Sequence, residues 1–174
     1  FYGFCLSFFS KFIVIIAIMR IHLPKDKRIQ TALYTLSIIT LSITSFWRIL
    51  TFGFLKDDWY IIWTSLYSHS VYYHHPGTPI EFFILSRIFG LNPVLWMLFG
   101  IILRILASYF VGLFILHFTK SKLAGSLAGI FFACSYAGLE TIYFSSTHVS
   151  PLTAIPMLLS LVYLIKALRE KKTY

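Results

Sequence analysis

Acidic residues are scarce in this chain: six Asp and Glu stand against 15 Lys and Arg, and charged residues of both signs make up only 12% of 174 positions. A solvated globular surface carries about twice that share of charge, so an ordinary water-soluble domain is excluded. Cysteine is nearly absent as well. Cys5 and Cys134 both sit inside apolar runs with no metal-ligand spacing, which excludes a disulfide framework and leaves them as packing residues. Internal repeats and low-complexity tracts are missing too. What fills the chain is apolar, at 58% hydrophobic and 19% aromatic residues, with a mean hydropathy of +0.80. That composition specifies an integral membrane protein. The formal charge of +9 could suit nucleic acid, but the basic residues fall in short clusters between apolar runs, so they read as topology signals and no nucleic-acid partner is expected.

Four segments reach the roughly 17–25 apolar residues that a crossing helix needs, namely 31–50, 94–118, 123–143 and 151–168, with 1–19 as a doubtful fifth. Residues 1–18 pose a separate question. Met19-Arg20-Ile21-His22-Leu23-Pro24-Lys25 reads as a basic start, so the upstream stretch is either untranslated in the native product or an extra span. Arg20, Lys25, Lys27 and Arg28 precede the first span, Lys120 and Lys122 join the second to the third, and Lys166, Arg169, Lys171 and Lys172 follow the fourth. The positive-inside rule places these ends in the cytoplasm and the loops 56–93 and 140–150 on the extracytoplasmic side. The expected fold is an all-α integral membrane protein of four transmembrane helices, or five, embedded in membrane lipid, plus amphipathic interfacial helices in the first outer loop.

That loop carries its own helix signals. Thr78-Pro79-Ile80-Glu81 is a capping box with Pro at the first helical position, so a helix should run to about Phe89, where Gly90 ends it and Asn92-Pro93 starts the next. Ile80, Phe83, Ile84, Leu85 and Ile88 would face the membrane surface. Asp58-Trp59-Tyr60-Ile61-Ile62-Trp63 reads as a second interfacial helix with aromatic anchors.

The residues that could carry chemistry cluster at this outer loop. Asp57 and Asp58 follow a long apolar run, where an ionised carboxylate belongs at the water interface and can accept a proton or bind a metal; the plainer role is a helix cap. Tyr72-Tyr73-His74-His75-Pro76-Gly77 is either an aromatic turn at headgroup level or a pair of imidazoles that completes a metal site or meets a phosphate. Arg104 lies about eleven residues into the second span, roughly 16 Å along a helix and too deep to snorkel, so it faces the bundle interior to meet either a lipid-linked phosphate or an internal carbonyl or Glu140. Glu140 and His148 frame the second outer loop and could join the same site, although each alone is commonly an interfacial polar residue. Gly125-Ser126-Leu127-Ala128-Gly129 is a G-x-x-x-G packing motif.

The order of span, Asp57-Asp58-Trp59, aromatic helix, Tyr73-His74-His75-Pro76, amphipathic helix and Arg-bearing span resembles the N-terminal part of GT-C glycosyltransferases of the mannosyltransferase-like and aminoarabinose-transferase-like branches. The likeness covers residues 29–169. Gly77 replaces the family's second Pro, Ser135-Tyr136 replaces its small-residue-Pro ending, and the family carries more spans, so the resemblance implies an N-terminal portion. It implies transfer of a sugar from a polyprenyl-phosphate donor to an acceptor, with inversion, at the extracytoplasmic face. Asp57 and Asp58 would supply the base or ligate a divalent Mg or Mn ion, and His74, His75, Arg104 and Glu140 would line the substrate site. The other reading is a non-enzymatic helical subunit that assembles with a partner through its G-x-x-x-G face.

Overall fold

A computed structural model describes residues 26–67 and 78–170. The upstream segment 1–19, His74 and His75 lie outside the described residues. Internal contacts divide the molecule within its first helix, after Leu36, and the core and site below belong to the unit from Ser37 onward.

Every regular element among the described residues is helical. Helix α1 (Lys27–Phe46) passes into a 3-10 turn (Trp47–Thr51); α2 (Lys56–Tyr67) and α3 (Thr78–Phe89) follow, then the long α4 (Pro93–Thr119) and α5 (Lys122–Cys134). A single-turn α6 (Glu140–Tyr143) and a 3-10 turn (Ser145–Thr147) lead into α7 (Val149–Glu170). Three stretches are long and apolar enough to cross a membrane: Arg28–Thr51, Pro93–Thr119 and Ser145–Arg169, of 24, 27 and 25 residues. At 1.5 Å per residue each exceeds the roughly 30 Å hydrocarbon layer.

Local signals set the helix ends. Asn92 Oδ1 accepts from the Val94 amide at 3.1 Å, with Pro93 as the first helical residue of α4. At its far end Lys120 takes a left-handed conformation, φ 60°, and its N–H returns to the Leu116 carbonyl. Ser121 Oγ then caps α5 by accepting from the Ala124 amide. The two helices pack closely because Gly125 has no side chain: a Cβ there would stand 2.8 Å from the Gly112 carbonyl oxygen. Gly129 is buried as well.

The third expected span departs from its prediction. Instead of running over 123–143, the helix stops at Cys134 after 13 residues, about 20 Å, which is too short to cross alone. Ser135 is extended, and Gly138 at φ 70° turns the chain into α6. A break in a helix frees backbone carbonyls, and here Arg104 of α4 takes them. Its guanidinium donates to Phe132 O at 2.7 Å, Ser135 O at 2.6 Å and Ala137 O at 2.9 Å, while stacking 4.0 Å above the Phe132 ring. A cation at the negative end of α5 also opposes that helix's dipole.

Two apolar clusters hold the unit together. Phe46, Ile49, Met97, Ile101 and Ile142 join α1, its 3-10 turn, α4 and α6. Phe54, Ile61, Ile62, Phe82 and Trp96 join α2 and α3 to the start of α4, with Trp96 stacked on Phe82 and its Nε1 donating to Gly90 O.

Candidate functional site

Helices α2 and α3 expose apolar residues and bury a mixture of polar and apolar ones. On α2 the inward face reads Asp58, Ile61, Ile62, Ser65, at helical spacing, while Trp59, Tyr60, Trp63 and Tyr67 are exposed. On α3 Glu81, Phe82 and Ser86 are buried, while Phe83, Ile84 and Ile88 are exposed. The buried polar residues lie beside Ile61, Ile62 and Phe82 and form a polar seam along the inner side of the two helices.

The seam closes against the 3-10 turn and His148, the residue that follows it. Asp58 is wholly buried, and its Oδ1 accepts from the Ser146 amide at 3.2 Å. His148, also wholly buried, places Nδ1 3.6 Å from Glu81 Oε1, an ion-pair distance longer than a hydrogen bond. Its ring lies parallel to Trp96 at 6.5 Å and edge-on to Phe99 at 5.6 Å. Gly100 makes this possible, since a Cβ there would fall 2.9 Å from His148 Nε2 and 2.5 Å from the Ile142 carbonyl oxygen.

Burial pushes the Asp58 carboxyl above the ordinary carboxylate value of 3.8. Backbone groups of Ser146, Ser145 and Leu55 and the charge of His148 pull the other way without cancelling it. Much of the seam's hydrogen-bonding capacity is unused. Asp58 Oδ2, both Glu81 carboxyl oxygens, the hydroxyls of Ser65, Ser86 and Ser145 and both His148 nitrogens have no hydrogen-bond partner among the described residues.

The structure therefore brings Asp58 together with Glu81 and His148. Asp57 is the second residue of α2, its side chain lying outside the description. Arg104 is buried and its terminal nitrogens are committed to the α5 break, with Nε alone lacking a hydrogen bond among the described residues. Glu140 is exposed at the start of α6. Glu81 read as a reach-back cap, yet its carboxylate turns toward His148. The signal for it lay in the α3 pattern, where Glu81 and Ser86 share the face of Phe82. His148 stood out in the sequence only as a residue framing the second outer loop that could join the same site, and its partner Glu81 lies far away in sequence. The oxygen and nitrogen donors of Asp58, Glu81 and His148 would suit a divalent ion by type, but among the described residues no group of three or more His, Cys, Asp and Glu side chains is arranged to hold one.

Comparison with protein-family models, curated proteins and solved structures gives no match.

Proposed function

We propose that this chain is a GT-C-like membrane glycosyltransferase module that moves a sugar from a polyprenyl-phosphate donor to an acceptor hydroxyl, with Asp58 as general base. The observation that carries this reading is the buried Asp58 carboxyl, raised above its ordinary range beside Glu81 and His148 at the end of the bundle where α2 and α3 lie. A base whose proton affinity lies nearer the working pH accepts a proton more effectively in the transition state. In the step proposed, the acceptor oxygen attacks the anomeric carbon as its proton passes to the Asp58 carboxylate. The bond from that carbon to the phosphate oxygen breaks, and the polyprenyl phosphate leaves with the electron pair, inverting the centre. His74 and His75 are the proposed partners of the donor phosphate. The role expected of Arg104 there is reduced to Nε, because its other nitrogens serve the backbone.

The topology that accompanies this reading has four crossings. Stretch 28–51 runs outward, α4 inward, the broken segment 122–143 outward and α7 inward, with basic ends cytoplasmic and α2 and α3 interfacial on the outer side. The assembly-subunit reading draws no support from Gly125 and Gly129, since both are buried and Gly125 already meets Gly112 and Leu116 of α4.

Sugar transfer in membranes separates the two readings. Asp58→Asn should abolish transfer while leaving insertion intact, whereas a non-enzymatic subunit would keep its function with Asp58→Asn.

A further inference from the structure

The seam between α2, α3 and the 145–148 segment has a composition that a permanently closed core does not sustain. A buried polar atom without a partner costs a fold stability, and among the described residues eight atoms on the buried faces of Asp58, Ser65, Glu81, Ser86, Ser145 and His148 have no hydrogen-bond partner. The polar ties across the seam among the described residues are the Ser146 amide to Asp58 at 3.2 Å and the Glu81–His148 approach at 3.6 Å, beside the apolar packing of Ile61, Ile62 and Phe82 with Trp96. The residues bearing these atoms are at least nine-tenths buried, with Glu81 the most exposed at 8%. Their acceptors outnumber their donors, because the carboxylates can only accept when ionised.

We infer that the seam is a water-accessible cleft covered by α2 and α3, which admits small polar groups of hydrogen-bond-donor or cationic character and rejects anions. The apolar outer faces of the two helices remain against lipid while the first turns that carry Asp58 and Glu81 part from Ser145 and His148. If Asp58 is the base proposed above, this cleft is the acceptor's side of the reaction, and the anionic donor phosphate stays outside it. Only that last assignment rests on the glycosyltransferase reading.

Substituted-cysteine labelling tests the cleft without any transfer assay. Ser86→Cys and Ser145→Cys are each introduced where Cys5 and Cys134 have been replaced by Ser, and opened membranes are treated with membrane-impermeant methanethiosulfonates, one carrying a quaternary ammonium and one a sulfonate. Ser108→Cys is the control, because Ser108 is equally buried but its hydroxyl is satisfied by the Arg104 carbonyl at 2.7 Å. The cleft predicts that both seam cysteines react at least about tenfold faster than the control, and faster with the cation than with the anion. Seam cysteines that label no faster than Ser108→Cys, or that prefer the anion, overturn the proposal. Two seam positions keep the test decisive where one variant fails to insert. Because labelling is read whether or not sugar is transferred, the cleft and the glycosyltransferase reading fail separately.

Discussion

The Arg104 guanidinium donates to the Ser135 carbonyl at 2.6 Å, joining the middle of α4 to the point where α5 ends. Carbonyls freed where a helix breaks need other donors, and one planar fork supplies donors to three of them at once. Arg104→Gln should therefore lower stability by about 3 kcal/mol or more. Arg104→Lys should recover only part, since an ammonium cannot reproduce the fork. Unfolding in detergent checks both, and a wild-type midpoint for Arg104→Gln would remove the capping role.

Close backbone approach makes a second prediction. Gly100→Ala puts a methyl 2.5 Å from the Ile142 carbonyl oxygen, and Gly125→Ala puts one 2.8 Å from that of Gly112. Each should destabilise by about 1–3 kcal/mol. Gly53→Ala, where nothing lies within 4 Å, is the matched control and should fall within about 0.5 kcal/mol of wild type. Thermal melting of the three variants reads the difference.

The pH dependence of stability should carry the signature of Asp58. Its carboxyl is raised above 3.8 in the folded protein, so the native state holds this proton more tightly than the unfolded chain does. The corresponding stabilisation is complete below about pH 4 and is lost as pH rises through the folded value. Asp58→Asn removes that slope. The variant should gain stability relative to wild type as pH increases from about 4, and a difference that stays constant with pH contradicts the assignment.

Legibility in the sequence followed the range of the interactions. The apolar runs read at 31–50, 94–118 and 151–168 lie within the long helical stretches 28–51, 93–119 and 145–169, because continuous apolar runs carry their own signal in the sequence. The α5 break was hidden because Ser135 to Gly138 is small and uncharged, and its stability comes from Arg104, 31 residues away from Ser135. Asp58 stood out as half of an acidic pair after an apolar run. Its neighbours did not, since Glu81 also satisfies a capping-box pattern and the amide that meets Asp58 lies 88 residues further on.

Sugar transfer from a polyprenyl-phosphate donor, followed against pH in membranes bearing wild type, Asp58→Asn or Asp58→Glu, tests the central claim most directly. The account predicts that wild-type transfer rises with pH as Asp58 ionises, that Asp58→Glu keeps a reduced rate, and that Asp58→Asn inserts normally and transfers nothing. Transfer by Asp58→Asn at the wild-type rate would contradict it.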